Sequence, residues 1–430
     1  MRKLVIVKAL ICFIMMFLPV LLVAQASGDV NNSNSIDIVD ALIVAQYYVG
    51  LNPSNFYPGA ADVNASGSID IIDALLIAQY YVGLISRFPG GSTPTTGPSA
   101  TPTTTAGGST GSVPWLHTDG KYIKDENGNV PPLYGVSFPC ITTIMDSRTI
   151  PGDSSRTNIQ RYIDKATNTS DGWRANVIRL PVYPDWFNDE TGSHEGWKQS
   201  DPDTYFSTYL DPAIQYCIQK QVYVIIDWHY IGQSWTDSSI VSNTNAFWTY
   251  VPPKYSNCPN VLFEIFNEPT GGITQTDWNS WKTAADSWVS MIRKAAPNNL
   301  ILVGAPSFSQ DLTYVPQNPV SGTNIVYVAH IYPAHAQSNW DSWFGNTADS
   351  YPVMITEWGY EAGATNPCDG TQSSYGNAFK AYINGKDNIR WTAWCFDYIW
   401  HPVMWDSSWN LLSGNNYMGQ FVKTWISEKF

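Results

Sequence analysis

Three glutamates interrupt apolar runs that do not explain them. Glu264 and Glu268 lie four residues apart in "VLFEIFNEPT" (261–270), and Glu357 sits inside "PVMITEWG" (352–359). A buried strand holds a carboxylate only where it is paired or used. Other apolar runs also end in polar residues: "NVIRLPV" carries Arg179, "VYVIIDWH" ends in Asp227 and His229, "VLFEIFNEP" in Asn267 and Glu268, "IVYVAHIYP" gives His330 and Tyr332, and "IRWTAWCFD" gives Trp394. Two carboxyl groups on different strands suit hydrolysis of a glycosidic bond, which needs one proton donor and one ionised carboxylate flanking the same oxygen. Glu268 and Glu357 form the natural pair. Arg179 would keep a neighbouring carboxylate ionised, and Tyr332 could donate a hydrogen bond to it. Strand alternation puts Glu264, Phe266 and Glu268 on one face, with Glu264 a layer deeper as a structural acid for Arg179 or His229. Metal-assisted hydrolysis through His229, His330 and His335 competes, but no metal-ligand spacing supports it.

These residues need a scaffold that gathers strand ends. Strand-like runs begin near Leu133, Val177, Val222, Val261, Leu300, Ile325, Val353 and Ile389. Helical patterns fill the intervals. In "TDWNSWKTAADSWVSMIRKAA", Trp278, Trp281, Ala285, Trp288 and Ile292 recur at helical spacing before Pro297, which predicts a core-facing stripe. Eight strands alternating with helices predict an α/β fold, a (β/α)₈ TIM barrel over residues 113–430. Its active site should lie at the C-terminal strand ends, where all the polar residues above fall.

A different pattern precedes the barrel. "GDVNNSNSIDIVDALIVAQYYVGL" from Gly28 returns as "ADVNASGSIDIIDALLIAQYYVGL" from Ala61, a period of 33 residues. Each copy is a polar loop followed by a helical run. Asp29, Asn31, Ser33, Ser35, Asp37 and Asp40 take positions 1, 3, 5, 7, 9 and 12 of a calcium loop of the EF-hand type, as do Asp62, Asn64, Ser66, Ser68, Asp70 and Asp73 in the second copy. Ile36 and Ile69 at position 8 anchor each loop to a core. This small all-α module spans residues 27–88. The stretch 89–112, rich in Pro, Thr, Gly and Ser, cannot bury a core and reads as a linker.

Arg2, Lys3 and Lys8 precede an apolar run from Ala9 to Val23 and then "AQAS", which predicts a signal peptide over 1–26 and an exported, extracellular protein with no membrane insertion after cleavage. The run is short for a membrane span. Five cysteines follow it, Cys140, Cys217, Cys258, Cys368 and Cys395, and they read as packed thiols with at most one bridge. The formal net charge of −13 argues against a nucleic-acid partner. Nineteen Trp and 25 Tyr leave two uses open, large cores and sugar-stacking walls; Trp186, Trp235, Trp343 and Trp400 are wall candidates.

Residues 28–86 resemble a type I dockerin, the module by which cellulosomal enzymes bind cohesin domains of a scaffoldin. The resemblance implies two structural calcium ions and a cohesin partner. It also implies that the apolar pairs Ile38-Val39 and Ile71-Ile72, at positions 10 and 11, form the recognition surface in two interchangeable orientations. Two departures stand out: Ser33 and Ser66 at position 5, where dockerins usually carry Asp, and Asn34 at position 6, where Gly is usual. Residues 113–430 resemble glycoside hydrolase family 5, carried by "FNEP" and "TEWG" with "IRLPV", "DWH" and "HIY" in order around them. That resemblance implies a retaining endo-β-glycosidase with Glu268 as acid/base and Glu357 as nucleophile, and no catalytic cofactor. It further implies Asn267 on the substrate 2-hydroxyl, His330 and Tyr332 ordering the carboxylates, Trp394 as a sugar platform, and Arg179 and His229 supporting the nucleophile. An endo-β-1,4-glucanase acting on β-glucan is the expectation; an endo-β-1,4-mannanase or xyloglucanase on the same machinery is the alternative.

Overall fold

The computed structural model describes residues 27–33, 36–81, 85, 87–89, 113–189 and 191–430, without the Trp186 side chain. The expected signal peptide over 1–26, Asn34 and Ser35 of the first loop, and the linker beyond Pro89 lie outside the described residues. Two compact units emerge, one within residues 1–108 and the other within 109–430.

In the first unit, the duplicated sequence folds into two helices, α1 (Ile38–Tyr48) and α2 (Ile71–Tyr81). Ala41, Ile43 and Val44 of α1 and Ala74, Ile77 and Tyr80 of α2 are buried in one cluster with Val30, Val63 and Phe88. Each helix starts in the same way. Asp37 accepts from Val39 N (2.7 Å) and Asp70 from Ile72 N (2.8 Å). Asp40 and Asp73, three residues on, reach back to the amides of Asp37 and Asp70 (2.9 Å each). These reciprocal bonds satisfy amides that a helix start leaves orphaned. The opposite faces, with Ile38, Val39 and Leu42 on α1 and Ile71, Ile72 and Leu75 on α2, are about half exposed.

The second unit is a closed barrel of eight parallel strands. A hairpin of β1 (Leu116–Asp119) and β2 (Tyr122–Asp125) precedes it. The barrel strands are β3 (Tyr134–Ser137), β4 (Val177–Val182), β7 (Tyr223–Trp228), β9 (Val261–Glu264), β11 (Ile301–Val303), β12 (Ile325–Ile331), β13 (Val353–Trp358) and β14 (Arg390–Ala393). Each begins within one residue of the expected start. A second hairpin, β5 (Trp186–Asp189) with β6 (Gly192–Glu195), follows β4, and the short β8 (Ile231–Gln233) pairs with β10 (Glu268–Pro269) above the barrel.

The barrel interior is layered. Val177, Tyr223, Ile225, Leu262, Leu302, Val326, Val328 and Met354 pack together inside it, with Leu116 and Ile123 of the first hairpin at the N-terminal end. The larger core lies between strands and helices. The helix Gln275–Ala295 buries Trp278, Trp281, Ala285, Trp288 and Ile292, the stripe its spacing predicts. The crossover after β11 departs from the ideal: among the described residues, 304–324 form turns rather than a helix. The five cysteines 140, 217, 258, 368 and 395 are all free thiols. No helix among the described residues is long and apolar enough to cross a membrane.

Closure brings β3 and β4 so near that a Cβ on Gly135 would meet the Val177 carbonyl oxygen at 1.7 Å. That contact is with backbone and cannot be relieved by a rotamer change. Gly135→Ala should therefore cost about 1–3 kcal/mol, by analogy with overpacked cores. It should lower the midpoint of the barrel's thermal transition; an unchanged midpoint would show that the strands separate freely.

Candidate active site

One guanidinium organises the C-terminal end of the barrel. Arg179 is the third residue of β4, on the inward face with Val177, and it is fully buried. Its Nε and Nη2 donate to the two carboxylate oxygens of Glu264 at 2.7 and 3.1 Å. Nη2 also donates to Asn267 Oδ1 (2.7 Å) and lies 3.0 Å from Asp227 Oδ2. Nη1 donates to Glu357 Oε1 at 2.7 Å. Glu264 is thus a structural acid paired with Arg179 and not with His229, whose Nδ1 bonds Asp227 Oδ2 at 2.5 Å.

Glu357 and Glu268 arrive at the mouth by breaks in strand alternation. Along β9, Leu262 and Glu264 face inward and Phe263 and Ile265 outward. Phe266 then also faces outward, its ring 5.9 Å from Trp288, so the expectation that it points inward fails. The extra outward residue turns Asn267 toward Arg179 and carries Glu268 to the rim. A similar shift of register separates Ala329↔Ile355 from His330↔Glu357. Met354 and Thr356 are inward, and the irregularity brings Glu357 to the same side while Trp358 returns to the outer core. Bulges of this kind re-aim side chains beside active sites.

The remaining groups bind the two carboxyls. Tyr332 Oη donates to Glu357 Oε2 (2.8 Å). His330 Nδ1 lies 2.9 Å from Glu268 Oε1 and 3.6 Å from Glu357 Oε2. His330 Nε2 meets Thr356 Oγ1 at 3.1 Å, and Thr356 donates onward to Glu264 Oε1 at 3.0 Å. Burial would by itself raise the Glu357 carboxyl, but His330, Arg179, His229 and the Tyr332 hydrogen bond together hold it below the ordinary glutamate value. Burial would lower His330, yet Glu357, the nearby Glu264 carboxylate (3.8 Å) and the bond to Glu268 lift it to about 10, making it an imidazolium at neutral pH. Burial, with Glu357 beside it, keeps the proton on Tyr332.

A cleft of about 590 Å³ opens over this centre. His229, Glu268, Glu357, Trp394, Phe308 and His335 contribute to its lining. Trp394 lies nearly parallel to the His229 ring, with centroids 5.8 Å apart and 11° between planes. Its backbone is fixed by a close approach: a Cβ on Gly359 would stand 2.3 Å from the Trp394 carbonyl oxygen. That accounts for the Gly of "TEWG". Of the wall candidates, Trp235 packs on Trp281, Trp343 on His335, and Trp400 beside Trp394; none of these three lines the cleft. The Trp186 side chain is outside the described residues.

Sequence reading gave no role to Asp227, Thr356 or Phe308. Asp227 stands two residues before His229 in an inward position, a readable signal. Phe308 gives none: it is exposed because Ser307, Phe308 and Ser309 have φ of 62°, 61° and 55°, a left-handed run costing about 1–2 kcal/mol per residue. Bonds from Phe308 N to Pro269 O (2.9 Å) and from Ser309 Oγ to Asn267 O (2.7 Å) hold it. The three histidines proposed for a metal do not converge. In the barrel, Glu268, His330 and Glu357 bring ligand atoms within 4.8 Å of one another, but His330 there is committed to hydrogen bonds on both nitrogens.

The loops of the first unit suit a hard cation. Asp29 and Asn31 accept from Ser33 N at 3.0 and 2.9 Å, and Asp62 and Asn64 from Ser66 N at 3.0 and 2.8 Å. Gly67 at position 6 has φ 88°, the turn such a loop requires. Asp40 and Asp73 are fully buried, and among the described residues no Lys or Arg pairs with them. An all-oxygen donor set with uncompensated buried charge fits calcium.

The family description "Cellulase (glycosyl hydrolase family 5)" matches residues 147–398, and "Dockerin type I domain" matches residues 27–81. An endoglucanase of Clostridium saccharobutylicum is 31% identical over 52% of this chain and 47% of its own length. A cellulase of a Thermoanaerobacterium species is 28% identical over 52% and 58%. The chain thus spans about half the length of the curated relatives it matches. Among solved structures, a β-glucanase of Saccharophagus degradans is 26% identical with a TM-score of 0.61, over 74% of this chain and 94% of that one. The catalytic domain of a Thermobifida fusca endoglucanase shares the fold at 23% identity, with a TM-score of 0.58 over 72% and 96%. Matched by its family over more than half its length, the chain belongs to glycosyl hydrolase family 5 and carries a dockerin type I domain before the barrel.

Proposed function

We propose that the protein is an exported endo-β-1,4-glucanase that cleaves β-glucan with retention of anomeric configuration and docks through its calcium-loaded dockerin domain to a cohesin. The observation that carries this reading is the pair Glu268 and Glu357, with carboxylate oxygens within 4.8 Å. Retaining enzymes hold their two carboxyls about 5–5.5 Å apart, whereas inverting enzymes leave room for a water at roughly 6.5–9.5 Å. The names of the relatives favour glucan.

In the first step, Glu357 attacks the anomeric carbon while the bond to the leaving oxygen breaks, and Glu268 gives its proton to that oxygen. In the second, Glu268 takes a proton from water, the water oxygen bonds the anomeric carbon, and the Glu357 ester breaks. Arg179 and Tyr332 keep Glu357 anionic and aimed. Asn267, pinned by Arg179, bonds the 2-hydroxyl in this reading, and Trp394 offers an indole face to the sugar. His330 keeps a positive charge beside both carboxylates.

Activity on carboxymethylcellulose and lichenan should exceed that on glucomannan, xyloglucan and xylan, and proton NMR should detect the β-anomer first. Initial α-anomer would sink the retaining mechanism. Glu357→Ala should lose at least about 10³-fold in kcat with the fold intact. Because Glu357 is held below the ordinary value of 4.5, it stays ionised above that pH, so the acid limb of kcat/KM should fall below pH 4.5; a limb at higher pH would mean that another group controls it.

Glu264→Ala strips two hydrogen bonds from the fully buried Arg179 guanidinium and leaves a void beside it. It should destabilise the barrel by about 3–5 kcal/mol in denaturant titrations. For the dockerin domain, calorimetry should count two calcium ions per chain and none in the Asp29→Ala/Asp62→Ala double variant. Cohesin capture unaffected by a chelator would refute the docking assignment.

A further inference from the structure

Two of the loops that line the cleft follow the adjacent strands β13 and β14, and one buried carboxylate joins them. Glu361 follows β13 and is 8% exposed. Its backbone closes one loop: its N–H donates to Cys368 O (3.1 Å), and its carbonyl accepts from Gly370 N (3.3 Å). That loop brings Asn366, Pro367 and Cys368 to the cleft. Its side chain holds the other loop, with Oε2 accepting from Val403 N at 3.0 Å and bonding His401 Nδ1 at 2.7 Å. The carbonyl of the same His401 accepts the indole N–H of Trp394 at 3.3 Å. Two hydrogen bonds therefore link Glu361 to the ring over which a sugar would lie.

The chemistry does not use this acid. Among the described residues it makes no hydrogen bond to Glu268 or Glu357, and its one ion-pair partner is His401, whose side chain is 57% exposed. A carboxylate this enclosed costs desolvation energy that an apolar residue would not. What the carboxylate provides and an apolar side chain cannot is a pair of directed contacts to the Trp394 loop, from a residue whose backbone fixes the neighbouring 361–370 loop.

We propose that Glu361 is a positioning residue that sets the spacing between Trp394 and the 366–368 wall, and through it the affinity and selectivity for an unbranched β-linked glucan chain. The proposal rests on the cleft being a glycan site. Loosening the tie should weaken ground-state and transition-state binding alike, since the reacting centre stays intact.

Glu361→Ala should raise KM for linear lichenan about 10-fold and leave kcat within about 2-fold. Glu361→Gln keeps acceptors for Val403 N–H and His401 and should recover KM to within about 3-fold of wild type. The ratio of kcat/KM on branched xyloglucan to that on lichenan should rise in the Ala variant. Equilibrium binding of cellotetraose, compared between Glu357→Ala and Glu357→Ala/Glu361→Ala, should weaken by the same 10-fold. Wild-type hydrolysis with KM and cellotetraose binding unchanged in Glu361→Ala overturns the positioning role, as does an equal fall in kcat and kcat/KM. If wild type fails to hydrolyse any β-glucan, the glucanase assignment falls, and the binding comparison still decides the role of Glu361.

Discussion

The barrel mouth depends on one buried cation facing three carboxylates. Arg179 is fully enclosed, and so are Asp227 and Glu264, while Glu357 is nearly so. A lone guanidinium there would be prohibitively costly. It is tolerated because its planar fork meets oxygens from several points around the barrel: Asp227 on the adjacent β7, Glu264 on β9, Asn267 beyond the end of β9 and Glu357 on β13. A lysine ammonium has neither the number of donors nor the fixed plane to do this. Four strands are thereby registered against one another through a single side chain.

The charges around Arg179 also make the two rim glutamates unequal. Glu357 takes Arg179 and Tyr332 directly, with His330 close by, so its anion is stabilised despite burial. Asp227, deeper and with one oxygen lacking a partner, is pushed upward because burial outweighs Arg179 and His229. Glu268 keeps a 16% exposed side chain and, among the described residues, touches the network through His330 alone. A carboxylate locked in anionic form and another in contact with solvent is the division of labour that acid-base chemistry with a covalent partner needs. That division comes from position, since the two side chains are chemically identical.

Much of this architecture is legible from the sequence, and the exceptions have physical causes. All eight barrel strands are visible as apolar runs because both their faces are buried. The polar residues ending them are visible because nothing else explains them. Alternation, however, locates a side chain only while the ladder is regular. It fails between Ile265 and Phe266 and again between Thr356 and Glu357, where a change of register moves the chemistry to the rim. The partner of Glu264 follows from geometry across the barrel, which sequence order does not encode. The exposed Phe308 depends on a left-handed backbone with no glycine to announce it, and the 304–324 crossover carries no periodicity because it forms no helix.

Buried acids in the two units pose one energetic problem with different solutions. Glu264 is ion-paired with Arg179, and Glu361 bonds the His401 ring and a backbone amide, so each has a side-chain partner within the fold. Among the described residues, Asp40 and Asp73 accept from backbone amides alone: Val30, Asn31 and Asp37 in one loop, Val63, Asn64 and Asp70 in the other. Amides orient a carboxylate without cancelling its charge. In each loop a second carboxylate, Asp29 or Asp62, stands at the first ligand position, so the negative potential adds. The barrel sets an arginine built into a strand among its buried acids, whereas the duplicated loops hold theirs in an all-oxygen donor set that suits a cation. This contrast, together with loop spacing, is the physical ground on which the loops of the first unit suit a cation.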